Sequence, residues 1–374
     1  MTEANSIPLS DSTRSELDEK QSRLAAFMDE NGWSAVLLRR NENLAWATAG
    51  RVEARVGPGE TAVCSLLLTR AGKRYYIAPE NEAPRLAAEE FPSLGFEPIL
   101  YPWTGGDIDE LAHQLAGPEI GADVAEPGFY PARFTALRAP LLAPEIDRFR
   151  TLAAAVAEST TRVLKTLQPG ITEDEMAARV AADLYAQHIT PTVILMATDD
   201  RILRYKHAVP RGGVLKKYGM LNLCARRQGM VISITRFVHF GAMAADLAAN
   251  FQKAAAVNAK LLHATRAGAS SADLYAVAAD GYAAAGFPNE IKKHHQGGAC
   301  GYQERDWVAT PGGAERVAAS QGFAWNPSLQ GAKAEDTALL HNGAIEILTA
   351  TPELPVIETE VGGQVYRSAG VFLP

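Results

Sequence analysis

The segment YGMLNLCARRQGMVISITRFVHFG, residues 218 to 241, carries the strongest structural signal in this chain. Two apolar runs flank ARRQG, a compact turn ending in glycine, and this pattern predicts an antiparallel strand pair. With the turn centred between Arg227 and Gln228, Asn222 and Ser233 face each other across the pair, their Cβ atoms roughly 5 Å apart. Two polar residues side by side in apolar strands are either satisfied by backbone and water or belong to a site.

Downstream, helical spacing runs from about Ala244 to Ala267, and another helix opens near Ser270 or Ser271. Beyond it, KKHHQGGACGYQERDW (292 to 307) sets His294 and His295 beside a run of glycines. Upstream, Phe149, Leu152, Val156, Thr160, Val163 and Leu167 follow the three-four spacing of an amphipathic helix that Pro169-Gly170 stops. TEDE then supplies a capping box, Thr172 as N-cap and Glu175 three residues on. The prolines of APLLAPEIDRFR (139 to 150) mark a boundary. Before it lies an α/β pattern: a helix from Leu17 with Leu24, Phe27 and Met28 on its stripe, the strand AVLL at 35 to 38, and the strands VCSLLLT and RYYIA around Ala71-Gly72. The expected organisation is a loose arm at 1–12, a first domain at 13–143 and a second at 144–374.

Composition excludes several classes. With 374 residues and a net charge of -7, the chain lacks the clustered basic surface that phosphate backbones require, so no nucleic-acid partner is expected. Three cysteines, an odd and sparse count without a CxxC spacing, fit a reducing compartment with no disulfide framework. The polar start MTEANSIPLSDSTRSELDEKQ has no apolar signal core, and no 18-residue apolar span follows. A cytoplasmic protein without membrane contact is therefore expected.

Three blocks in order, LNLCARRQGMVISITRF, HHQGGACGY and FAWNPSLQGAKAEDTALL, together with RLAAFMDENGWSAVLLRRNENLAWATAG near the start, resemble the pita-bread superfamily of creatinase, prolidase, Xaa-Pro aminopeptidase and methionine aminopeptidase. The resemblance covers nearly the whole chain. It implies an α/β creatinase-like N-terminal domain followed by an α+β pita-bread C-terminal domain, and a homodimer. Peptidases of this superfamily bind two divalent metals through two Asp, one His and two Glu. Carried over one at a time, those positions fall on Asn222, Ser233, Gly298, Asn326 and Glu335. Only Glu335 remains a carboxylate, and amides and hydroxyls are poor substitutes for it. No metal cofactor is expected. The lesser alternative is a single divalent ion held by His207, by His294 or His295, and by Glu335.

The resemblance to creatinase, which breaks a C–N bond without metal, assigns proton transfer to His207 in RYKHAVP, with Glu335 orienting it. Asn222, Ser233 and Asn326 become hydrogen-bonding contacts to substrate in place of metal, with His294 and His295 beside them. Arg305 stands where active peptidases carry a second histidine and is expected to clamp a carboxylate, or else to pair with Glu304 or Asp306. Lys333 shares a strand face with Glu335, close enough to neutralise it or to meet substrate. Cys224 and Cys300 flank the altered positions; buried, inert thiols are the simpler reading over nucleophiles. The expected function is a metal-independent hydrolase or lyase cleaving a C–N bond in a small anionic or zwitterionic, amino-acid-like molecule. The alternatives are a catalytically silent relative that binds a ligand or partner, and an Xaa-Pro aminopeptidase-like enzyme with an atypical metal site.

Overall fold

The computed structural model describes residues 8–57 and 59–374. The chain divides into two compact units, Met1–Glu145 and Ile146–Pro374. In the first, a six-stranded mixed sheet has the order β4-β3-β2-β1-β5-β6, from β1 (Ala35–Arg40), β2 (Thr61–Thr69), β3 (Arg74–Pro79), β4 (Glu97–Tyr101), β5 (Ile120–Ala122) and β6 (Tyr130–Pro131). Helix α1 (Asp11–Asn31) is capped by the Ser10 side chain and closed by Gly32 in the left-handed region. It buries Leu17, Leu24 and Met28 as its apolar spacing requires. Glu16 and Lys20 are buried on the same helix: the Lys20 ammonium sits 2.6 Å from Glu16 and 2.8 Å from Glu145. Of the loose arm expected at 1–12, residues 1–7 lie outside the described residues. Asp11 and Ser12 already belong to α1, because Ser10 supplies a cap that the apolar pattern does not register. Helix α2 (Ile108–Ala116) covers one face of this sheet through Ala112, which packs with Leu37, Leu67 and Ile77.

The long helix α3 (Ala143–Thr166) begins in the last residues of the first unit and continues into the second, with Pro144 in its first turn, where a proline is tolerated. Helix α4 (Glu173–Tyr185) opens on the expected capping box, Thr172 and Glu175 bonding reciprocally. A four-stranded sheet follows from β7 (Thr190–Thr198), β8 (Tyr218–Arg227) and β9 (Met230–His239), with the terminal β15 (Val371–Phe372) parallel to β9. A second, five-stranded sheet comprises β10 (Gly297–Cys300), β11 (Trp307–Val308), β12 (Gln321–Trp325), β13 (Asp336–His341) and β14 (Ala344–Ile347), in the order β11-β10-β12-β13-β14. Helices α5 (Ala245–Ala264) and α6 (Ser271–Ala284) pack Leu261, Leu262 and Tyr282 onto Phe323 and Trp325 of this sheet.

The β8–β9 hairpin forms, with one correction to its register. Gln228 and Gly229 both adopt positive φ, 50° and 79°, so they are the two central residues of a tight turn and Arg227 pairs with Met230. Asn222 therefore lies opposite Thr235, and Ser233 opposite Cys224. The slip is two residues, an even number, so Asn222, Cys224, Ser233 and Thr235 still share one face.

Candidate active site

Glu335 is the hub of this face. It sits just before β13, and its carboxylate has only 3% of its side chain exposed. Four donors hold it: Asn222 Nδ2 at 2.6 Å, Thr235 Oγ1 at 2.5 Å, Lys333 Nζ at 2.7 Å and Arg305 Nη2 at 3.0 Å. Burial opposes the charge, but Lys333 and Arg305, with hydrogen bonds from Lys333 and Thr235, outweigh it and hold the carboxyl at about 2. Arg305 also donates through Nη1 to Ser233 Oγ at 2.9 Å and to the Glu304 carbonyl at 2.5 Å. Its guanidinium is therefore an internal counterion, and the expected carboxylate clamp is corrected: only Nε is left without a partner.

Asn222, through its amide nitrogen, and Ser233, through its hydroxyl, belong to the same network. Asn222 Nδ2 also donates to Thr235 Oγ1 at 2.7 Å, and Ser233 Oγ lies 3.2 Å from Cys224 Sγ. Asn222 Nδ2 and Ser233 Oγ thus act as supports for Glu335 and Arg305. Asn326 differs: it is 2% exposed and its Oδ1 has no partner. Its backbone N–H donates to the Gln296 carbonyl at 3.0 Å, which sets it beside the histidine loop. Burial pushes the Cys224 thiol up to about 12 and Cys300 higher still, so both stay protonated and inert. Arg236 is scaffold, bonded to Asp336, Thr351 and the Thr349 carbonyl. His239 bonds the Gly241 carbonyl at the strand end. Trp307 and Trp325 belong to the apolar core.

The histidines form a second cluster. His207 Nε2 lies 2.9 Å from His294 Nε2, and the His295 ring stacks on His294 with centroids 4.5 Å apart. The expected His207–Glu335 pairing is corrected: the hydrogen-bonded partner of His207 is His294, since both oxygens of Glu335 are engaged elsewhere. Burial, then the charge of Lys333, lowers His207 and brings His294 to about 2; burial, then Arg305, brings His295 to about 4. All three are neutral imidazoles at pH 7. His294 Nδ1 is buried without a partner, so the lower-cost tautomer puts the shared proton on His294 Nε2 and leaves His207 Nε2 its lone pair.

Residues that sequence reading missed hold this cluster together. Lys206 Nζ reaches Glu290 Oε2 at 3.1 Å and Ser328 Oγ at 3.1 Å, which pins the segment carrying His207 to the turn preceding His294. Gln296 bonds the His294 carbonyl through Nε2 and accepts from Tyr282 O–H at 2.6 Å. Thr235 was visible only as part of a shared motif. Nothing local in the sequence distinguishes Lys206 or Glu290 from solvated surface charge.

Gly298 shows why a side chain is missing at its position. A Cβ there would stand 2.0 Å from the Trp307 carbonyl oxygen, because β11 pairs directly against β10 at Gly298. A carboxylate-bridged pair of divalent metals does not fit these residues. One carboxylate, already neutralised by two cations, cannot offset four charges, and the amides and hydroxyl around it are donors to or acceptors from their neighbours.

The arrangement defines a class: the two-domain pita-bread fold of the creatinase and prolidase superfamily. Dipeptidase PepE from Mycobacterium ulcerans superposes with a TM-score of 0.74 at 19% identity, covering 90% of this chain and 96% of that one. The prolidase from Pyrococcus horikoshii OT3 gives 0.74 at 18%, covering 89% and 98%. The Xaa-Pro dipeptidase from Bacillus anthracis gives 0.74 at 16%, covering 96% and 100%. At these identities the likeness establishes the fold alone. A sequence profile of metallopeptidase family M24 matches residues 147–342, just over half of the chain, and the chain belongs to that family. A search of curated proteins found no match.

Proposed function

We propose that this protein is a hydrolase that cleaves a C–N bond in a small, carboxylate-bearing, amino-acid-like substrate by histidine chemistry, in place of the two-metal chemistry of its family. The observation that carries the reading is the Lys333–Glu335–Arg305 ion network, which puts two side-chain cations around the one remaining carboxylate. With neutral imidazoles beside it, this network has one net positive charge, which favours an anionic substrate. Water attacks the substrate carbon while His207 Nε2 takes its proton; the new C–O bond forms and the C–N bond breaks as the imidazolium returns that proton to the leaving nitrogen. Lys333 supplies positive charge where the oxyanion develops, and the Oδ1 of Asn326 accepts a substrate N–H.

Incubating the protein with a panel of small amides and ureas bearing a carboxylate, and detecting the released amine by mass spectrometry, tests this. Turnover lost in H207A supports the reading. Binding without turnover across the panel, seen as thermal stabilisation, would replace it with the silent ligand-binding alternative.

A further inference from the structure

Three imidazoles converge beside the ion network, and nothing in the proposed hydrolysis requires the third. His207, His294 and His295 each offer a ring nitrogen, and these atoms lie within 4.8 Å of one another. Two nitrogens bound to a tetrahedral zinc at about 2.0 Å stand about 3.3 Å apart. The 2.9 Å between His207 Nε2 and His294 Nε2 is within a few tenths of that chord. We propose that these three histidines form a mononuclear site for a divalent transition metal, with donors different from those of the family's carboxylate centre, and that metal there blocks the proton transfer assigned to His207. The metal site goes beyond the functional reading, and the blocking consequence rests on it.

The donor type fits. Neutral imidazole is the form that binds metal, and a set of imidazoles without carboxylate selects zinc, cobalt, nickel or copper over magnesium and calcium. His207 and His295 are open to solvent, which leaves an entry path and a fourth position for water. The outer support is in place: Gln296 holds the His294 carbonyl, and Lys206 on Glu290 keeps His207 against the loop. His294 must first move the proton it shares with His207 from Nε2 to Nδ1, whereas His295, more exposed and with its Nδ1 accepting the Gly297 N–H at 3.2 Å, gives up a hydrogen bond when its tautomer or ring changes and is the weakest ligand. Lys333 and Arg305, offset only by Glu335, oppose a further cation, so the ion exchanges readily and does not serve as a structural metal. Once bound, it occupies the His207 Nε2 lone pair that accepts the proton from water.

Titrating the untagged full chain with Co²⁺, read by its visible absorption, and with Zn²⁺, read by calorimetry, tests the site directly. The expected result is one saturable equivalent. H207Q and H294Q should each weaken it by more than the roughly 10- to 100-fold loss that an outer-shell change produces, with H295Q losing less. A far-ultraviolet spectrum and urea midpoint like the parent's show that each variant is folded. No saturable binding, or binding undiminished in the H207Q/H294Q double variant, overturns the site. Occupancy is read without turnover, so the result is separable from the fate of the hydrolase assignment; zinc at saturation that leaves an observed turnover rate unchanged overturns the blocking consequence and the role of His207 as base.

Discussion

Glu335 concentrates the energetics of the site at the scale of single residues. Its carboxyl is held at about 2, against an ordinary 4.5, by Lys333 and Arg305 acting against burial. A group depressed in the folded state stabilises the protein above its unfolded pKa and loses that contribution as pH falls through the folded value. The contribution, on the order of 3 kcal/mol, is therefore complete above about pH 5 and disappears progressively toward pH 2. Urea unfolding of wild type and E335Q across that range should show a stability gap at pH 7 that narrows as the pH falls. At pH 7, E335Q leaves the buried Lys333 and the partly buried Arg305 without their counterion and should lose about 3–5 kcal/mol. His207 is a different case: it lies in an exposed loop, so H207A should leave the urea midpoint nearly unchanged while turnover falls by about 10²–10⁴. The identities of these residues were legible in the sequence; their partners were not. Glu335 and Lys333 are two positions apart and were readable as a pair. Arg305 closes the network from a different loop, 30 positions away.

Among the elements, the β8–β9 hairpin shows what pattern reading can and cannot fix. Alternation gave the face correctly, because parity survives an even slip. The register depended on which two residues turn, and the positive φ of Gln228 is a conformation that a non-glycine residue seldom announces in sequence. The capping box at Thr172 was legible because its chemistry is local, and T172A should cost about 1 kcal/mol by urea unfolding. The β10–β11 pairing was not legible, since β11 has only two residues and no alternation to read. Its consequence is testable. Restoring a histidine at Gly298 forces a side chain against the Trp307 carbonyl, so G298H should lower the melting temperature by several degrees without creating a two-metal centre. A stable G298H that takes up two equivalents of metal would show that the sheet yields and that the position is not closed.

At the level of the whole molecule, family membership and fold agree with the order of three motif blocks read from the sequence, because order and spacing constrain topology more than any one block does. Function was less legible for a physical reason: the fold is held by the core around Tyr282, Phe323 and Trp325, which is indifferent to whether position 222 carries Asp or Asn. Among the described residues no helix is long and apolar enough to cross a membrane. A homodimer, implied by the resemblance, predicts a light-scattering mass twice the chain's 40.1 kDa. The measurement that tests the central claim most directly is turnover of an identified substrate in excess chelator, for wild type and H207A side by side. Histidine chemistry predicts that the wild type keeps its full rate, or gains if stray zinc is removed, and that H207A has almost none. Activity abolished by the chelator and restored by manganese, cobalt or zinc would contradict it and return the protein to the metal-dependent chemistry of its family.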